Sequence, residues 1–135
     1  MAVSLELFAE HGVDGVSLAA ITEAAHASNA SAIQYHFGSK DGLLEAIVDE
    51  YEERAEARRV ELAIALAERG EVTLRDEVET LVVPFAELLG RADGVAFLRL
   101  VGQLLGHPRF SIVDRHRKAL ASASRGLLGG LRRAE

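Results

Sequence analysis

From Ala2 to His11 the apolar residues Val3, Leu7 and Phe8 recur at helical spacing with Leu5 beside them, and Gly12 closes the run. The pattern predicts a short amphipathic helix. After the turn Val13-Asp14-Gly15-Val16, Ser17 stands where an N-cap belongs, able to accept from a first-turn amide of a helix from Leu18 to about Ala25. Leu18, Ile21 and Ala25 share one face of that helix. His26-Ala27-Ser28-Asn29 is rich in cap and turn formers, and a third short helix is predicted over Ala30 to Phe37, with Ile33 and Phe37 inward and Gly38 ending it.

Ser39 then caps the longest helix, from Lys40 to about Arg69, on which Leu44, Ile47, Val48, Tyr51, Ala55, Leu62 and Leu66 form one apolar stripe. Its other face is a solvated run of charge, with Glu50 and Arg54 a favourable pair one turn apart. Gly70 breaks it. Thr73-Leu74-Arg75-Asp76 has the spacing of a capping box for a helix through Leu89, kinked at Pro84, with Leu81, Val82, Phe85, Leu88 and Leu89 on a broad apolar face. Gly90 to Gly94 reads as a loop, Val95 to Leu105 as a strongly apolar helix, and Gly106-His107-Pro108 as a turn. Arg109 to Glu135 is again helical, weakened by Gly126, Gly129 and Gly130. The pattern as a whole is all-α.

The chain's 135 residues are enough to bury a real core, as one cooperative unit or as a small head on a body. It has no cysteine, which removes disulfides and thiolate metal sites. No apolar run approaches the roughly 20 residues that cross a bilayer, and the first residues are acidic, so neither a membrane span nor a signal peptide is expected and the cytoplasm is the expected compartment. The net charge of −6 is uneven. Residues 1–40 carry four acids and one base, whereas residues 71–135 carry eight acids and ten bases.

Three short helices in the first 40 residues, the second and third joined by a brief turn, have the layout of a helix-turn-helix head, whose last helix enters the major groove. The stretch LFAEHGVDGVSLAAITEAA, then NASAIQYHFGSKDGLLEAIV, resembles the TetR family of transcriptional regulators across residues 5 to 48. The first stretch matches the family's first helix, its glycine-containing turn and the Ser-x-x-x-Ile opening of the second helix. The second matches the recognition helix, the Tyr-His-Phe that closes it and the Ser-Lys-Asp/Glu-x-Leu-Leu opening of the connecting helix. The resemblance implies a three-helix head, residues 1–40, joined by a long helix to an α-helical body, residues 41–135, that binds an effector and dimerises. It also implies a chain incomplete at both ends, lacking a basic arm before the head and part of the dimerising helices after the body.

A helix that must approach base edges needs small residues and uncharged donors and acceptors, and Asn29, Ser31 and Gln34 suit this, while Ala30 and Ala32 let the backbone close in. Tyr35 and His36 have the reach and polarity for phosphate oxygens, and Lys40 sits at a helix N-terminus that favours an anion. In the family, positions matching Ser17, Gln34, Tyr35 and Lys40 commonly touch the DNA backbone, and those matching Asn29 and Ser31 commonly face bases. Ser28 occupies the turn position where family members frequently carry a basic residue. Ser and Asn are also ordinary turn and cap residues, Phe8, Ile33 and Phe37 read as core, and the Tyr35 ring could pack while its hydroxyl reaches out.

The implied partners are a double-stranded DNA operator, an unknown small-molecule effector and a second copy of the chain, with the dimer acting as a repressor on a palindrome. Phe85, Leu88, Phe97, Arg99, Gln103 and His107 are candidates to line an effector pocket or to form ordinary core and surface. His11, His26, His36, His107 and His116 lack the spacing with carboxylates that a closed metal site needs, and no metal or cofactor is expected. No phosphate loop, nucleophile elbow or isolated carboxylate pair occurs, so no enzymatic activity is expected. Because Lys40 is the first Lys or Arg of the chain, a helical interaction module whose head does not bind DNA is the competing class.

Overall fold

The computed structural model describes residues 1–25 and 30–110, without the side chains of Ala30, Ser31, Ala32 and Gln34. The fold is all-α, and among the described residues there is no strand. The helices are α1 (Ala2–His11), α2 (Leu18–Ala24), α3 (Ala30–Phe37), α4 (Lys40–Arg69), α5 (Leu74–Ala86) and α6 (Ala92–Leu104), with a short 3-10 helix at Glu87–Gly90. The chain divides into two compact units, Met1–Leu100 and Val101–Glu135, and only Val101–Phe110 of the second is described. The helix expected over Arg109 to Glu135 lies almost wholly outside the described residues.

Capping chemistry sets the helix starts. Ser17 accepts from the Ala20 amide at 3.1 Å, Ser39 from the Gly42 amide at 3.0 Å, and Thr73 with Asp76 forms a reciprocal capping box. Gly38 takes φ of 69°, a left-handed turn that lets the Ser39 amide donate back to the Phe37 carbonyl at 2.7 Å. Three residues later the first turn of α4 passes so close to the end of α3 that a Cβ on Gly42 would run into the Phe37 carbonyl oxygen. Residues 38–42 therefore fix the direction in which α3 leaves α4. Gly42→Ala is expected to cost about 1–3 kcal/mol through this clash, seen as a lowered urea midpoint at unchanged slope.

The core of the head is Leu5, Phe8, Ala9, Val13, Val16 and Ile21 against Leu43, Leu44, Ile47 and Val48 of α4. On α1 the inward face runs Ser4, Leu5, Phe8 and Ala9, so Val3 is exposed and Leu7 only half-buried. Leu18 is half-buried and Ala25 exposed, which leaves Ile21 as the one buried anchor of α2.

α4 and α5 form a helical hairpin. Arg69 pairs with Asp76 at the closed end, and Arg58 grips Glu87 through Nε and Nη2 at 2.9–3.1 Å further along. These two pairs fix which side of α5 faces α4. Part of the apolar surface of α5 is left to solvent, with Leu74 at 76 % exposure and Val78, Leu81 and Val82 also exposed, while Pro84 is buried. The helix expected to run through Leu89 ends at Ala86 and tightens into the 3-10 turn, and α6 begins at Ala92, inside the expected loop. The physical reason is Gly94, whose missing side chain lets the first turn of α6 sit against the Leu88 carbonyl.

Candidate nucleic-acid interface

The side chains of the head divide into those that hold α3 in place and those that face solvent. Ile33 and Phe37 are half-buried, and they seat α3 on the rest of the head. Tyr35 stands out at 86 % exposure, its ring 5.4 Å from His36 in an edge-on arrangement at 80°. The Tyr35 ring therefore has no part in the core. His36 is also exposed, so the last turn of α3 offers solvent an aromatic hydroxyl and an imidazole side by side.

Lys40 behaves differently. Its Nζ donates to the Val13 carbonyl at 2.8 Å and to the Val16 carbonyl at 3.0 Å, both in the turn between α1 and α2. An ammonium has three donors, and two are committed within the head. The bond spans 24 to 27 residues of sequence and ties the N-terminus of α4 to the loop that ends in the exposed Ser17 cap. Lys40 is thus a brace of the head's tertiary structure.

Of the remaining residues read as DNA contacts, Ser28 and Asn29 lie outside the described residues, and Ala30, Ser31 and Gln34 belong to α3 without described side chains. Residues 1–47 contain no Arg and no Lys besides Lys40, and acids dominate their charge.

In the body, Phe97 is 1 % exposed and stacks on Tyr51 with ring centroids 4.2 Å apart and 7° between planes. The Tyr51 hydroxyl donates to Asp93 Oδ2 at 3.0 Å, and Arg91 clamps the same carboxylate with Nε at 3.0 Å and Nη2 at 2.9 Å. Arg54 lies 5.1 Å above the Tyr51 ring and pairs with Glu50. Burial, and then the bond to Asp93, pushes the Tyr51 phenol up to about 12, while the Arg91 guanidinium holds Asp93 down at about 2. Neither group is poised for proton transfer near neutrality. Their role is to tie α6 to α4.

The pair predicts a pH window. Tyr51 favours the protonated form in the folded state, so its contribution is complete below the ordinary value of 10.0 and is lost as pH rises toward 12. Asp93 favours the charged form, so its contribution is complete above 3.8 and is lost as pH falls toward 2. Thermal melts of Tyr51→Phe should lose the alkaline decline specific to this pair and keep the acid one.

Phe85 and Leu88 are half-buried, Arg99 is exposed, and in the second unit Gln103 is exposed and His107 half-buried. The polar side chains expected to orient an effector are thus mostly at the surface. Arg59, by contrast, is buried, and it interrupts the apolar stripe of α4 between Ala55 and Leu62. That interruption was visible in the spacing. Among the described residues no three His, Asp or Glu side chains converge as a metal site requires, and no helix is long and apolar enough to cross a membrane.

Three short helices followed by a long one, with an exposed polar end on α3, have the layout of a helix-turn-helix head. Residues 1–47 match the family model described as bacterial regulatory proteins, tetR family. The first third of the chain is thus similar to the DNA-binding head of TetR-family regulators. The match covers the head and the first two turns of α4. No curated protein and no solved structure matches the chain.

Proposed function

We propose that the chain is a ligand-responsive repressor that binds a palindromic operator as a homodimer in the cytoplasm. Residues 1–40 read the DNA, and residues 41–135 bind the effector and pair with the second copy. The observation that carries the reading is the exposed Tyr35 and His36 at the end of a helix whose direction is fixed by Gly38, Ser39 and Gly42. Asn29 and Ser31 face base edges, with Ala30 and Ala32 permitting close approach, while Ser28 lies in the turn before them and Ser17, Gln34, Tyr35 and His36 bond phosphates. Lys40 contributes chiefly by holding that surface together. In the dimer two such heads sit about one helical turn apart, near 34 Å, and an effector that alters this spacing releases the DNA.

A panel of operator variants tests the division of roles. Asn29→Ala should change the ranking of sequences, whereas Tyr35→Ala should weaken all of them about equally. Identical effects would refute the assignment. Sedimentation should give a dimer, and a stable monomer would contradict the two-headed mechanism.

A second reading draws on the acidic head and on Lys40 being engaged internally: a helical module that contacts a protein partner. It predicts no preference of the chain for any duplex.

A further inference from the structure

The apolar stripe of α4 runs through Leu44, Ile47, Val48, Tyr51 and Ala55, and it resumes at Leu62 and Leu66. Between them the helical spacing places Arg59, which is only 8 % exposed. Its Nη1 pairs with Glu56 one turn earlier. Its Nε–H is buried and has no hydrogen-bond partner among the described residues. The other arginines of α4 are all more exposed, and each meets a carboxylate: Arg54 with Glu50, Arg58 with Glu87 and Glu61, and Arg69 with Asp76. Residues 41–70 contain nine acids, so carboxylates were at hand, yet the buried Nε–H is left without an acceptor. A charged donor removed from water without an acceptor is costly, and a ligand that supplies the acceptor recovers that cost on binding.

We propose that the unmet Nε–H of Arg59 receives the carboxylate of a small apolar acid, and that this acid is the effector. The inference rests on the ligand-responsive reading above and names the chemical class of its ligand. The Nε side of a guanidinium presents two parallel donors that match the two oxygens of a carboxylate. The stripe on either side is apolar, with Tyr51 and Ala55 before it and Leu62 and Leu66 after, which suits a hydrocarbon body behind a single charged head. The helix that carries Arg59 is also the one whose first turn holds α3 through Gly42 and the α1–α2 turn through Lys40. A ligand bound at Arg59 therefore acts on the element that aims the reading helix.

Calorimetric titration of the full chain with decanoate, decanol and inorganic phosphate tests this. Decanoate should bind at least tenfold more tightly than either control. Arg59→Met should reduce decanoate affinity roughly ten- to a hundredfold, to the level of decanol, and leave decanol unchanged. Because methionine fills similar space without an unmet donor, the melting temperature should hold or rise. Should that variant fail to fold, Arg59→Lys, which keeps the charge but loses the fork, should still lose most of the preference for decanoate over decanol. Equal binding of decanoate and decanol by the wild-type chain, no binding of decanoate, or unchanged decanoate affinity in the variants would overturn the proposal. Operator binding of the ligand-free chain is measured in parallel. If DNA binds and decanoate does not, only this inference fails; if no duplex is preferred, the regulator reading fails regardless of decanoate.

Discussion

Lys40→Met is expected to lower the melting temperature by roughly 5–10 °C, and to weaken DNA binding by loosening the head. The amine makes charge-assisted bonds of 2.8 and 3.0 Å to the Val13 and Val16 carbonyls, and the two valine side chains beside them are buried. Bonds to a charged group contribute about 1.5–3 kcal/mol each, and the pair shares one ammonium, so a total near 2 kcal/mol is the conservative figure. Methionine keeps the aliphatic stem and removes only the donor. A phosphate-contacting lysine predicts a different outcome: an unchanged melting temperature and a salt dependence reduced by about one unit of slope. The brace predicts the reverse, and affinity measured well below the melting temperature should largely recover.

Phe97→Ala is expected to cost about 3–5 kcal/mol, or roughly 10–20 °C in melting temperature, the largest single-residue effect in the body. Phe97 is 1 % exposed and nearly parallel to Tyr51, so truncation opens a cavity against a ring that cannot follow. Tyr51 is held at its far end by Asp93, which is itself fixed by Arg91. The surroundings therefore relax poorly, which places the cost toward the upper end of the range. Phe97→Leu, which retains most of the volume, should lose less than half as much. A melting temperature within a few degrees of wild type for the alanine variant would mean that the stack does not join α4 to α6.

Much of the fold was legible because its signals are local. The caps Ser17, Ser39 and Thr73 and the stops Gly12, Gly38 and Gly70 mark helix ends by chemistry confined to four or five residues, and α1, α3 and α4 have the expected bounds. The errors fall where a distant contact decides. The face of α1 turned inward runs through Ser4 and Leu5, because packing within the head outweighed the apolar count at Val3 and Leu7. The end of α5 depends on how closely Gly94 approaches the Leu88 carbonyl, and no periodicity carries that information.

The candidate site follows the same division. The spacing left open whether the Tyr35 ring packs or reaches out, and it is exposed, while the half-burial of Ile33 and Phe37 accords with their inward positions. The bonds of Lys40 to carbonyls more than twenty residues away were invisible to a reading that saw only a cation at a helix start. Arg59 was different. It breaks a regular stripe, and a charged residue at an inward position is a signal in its own right.

Under the proposed function this acidic head binds DNA by sequence. Fluorescence anisotropy of the full chain on duplexes from its own upstream region, against a random duplex and across a salt series, tests it most directly. Tighter binding to one palindromic duplex than to the random one is expected, with affinity falling as salt rises. Equal affinity for both duplexes, or binding indifferent to salt, would contradict it.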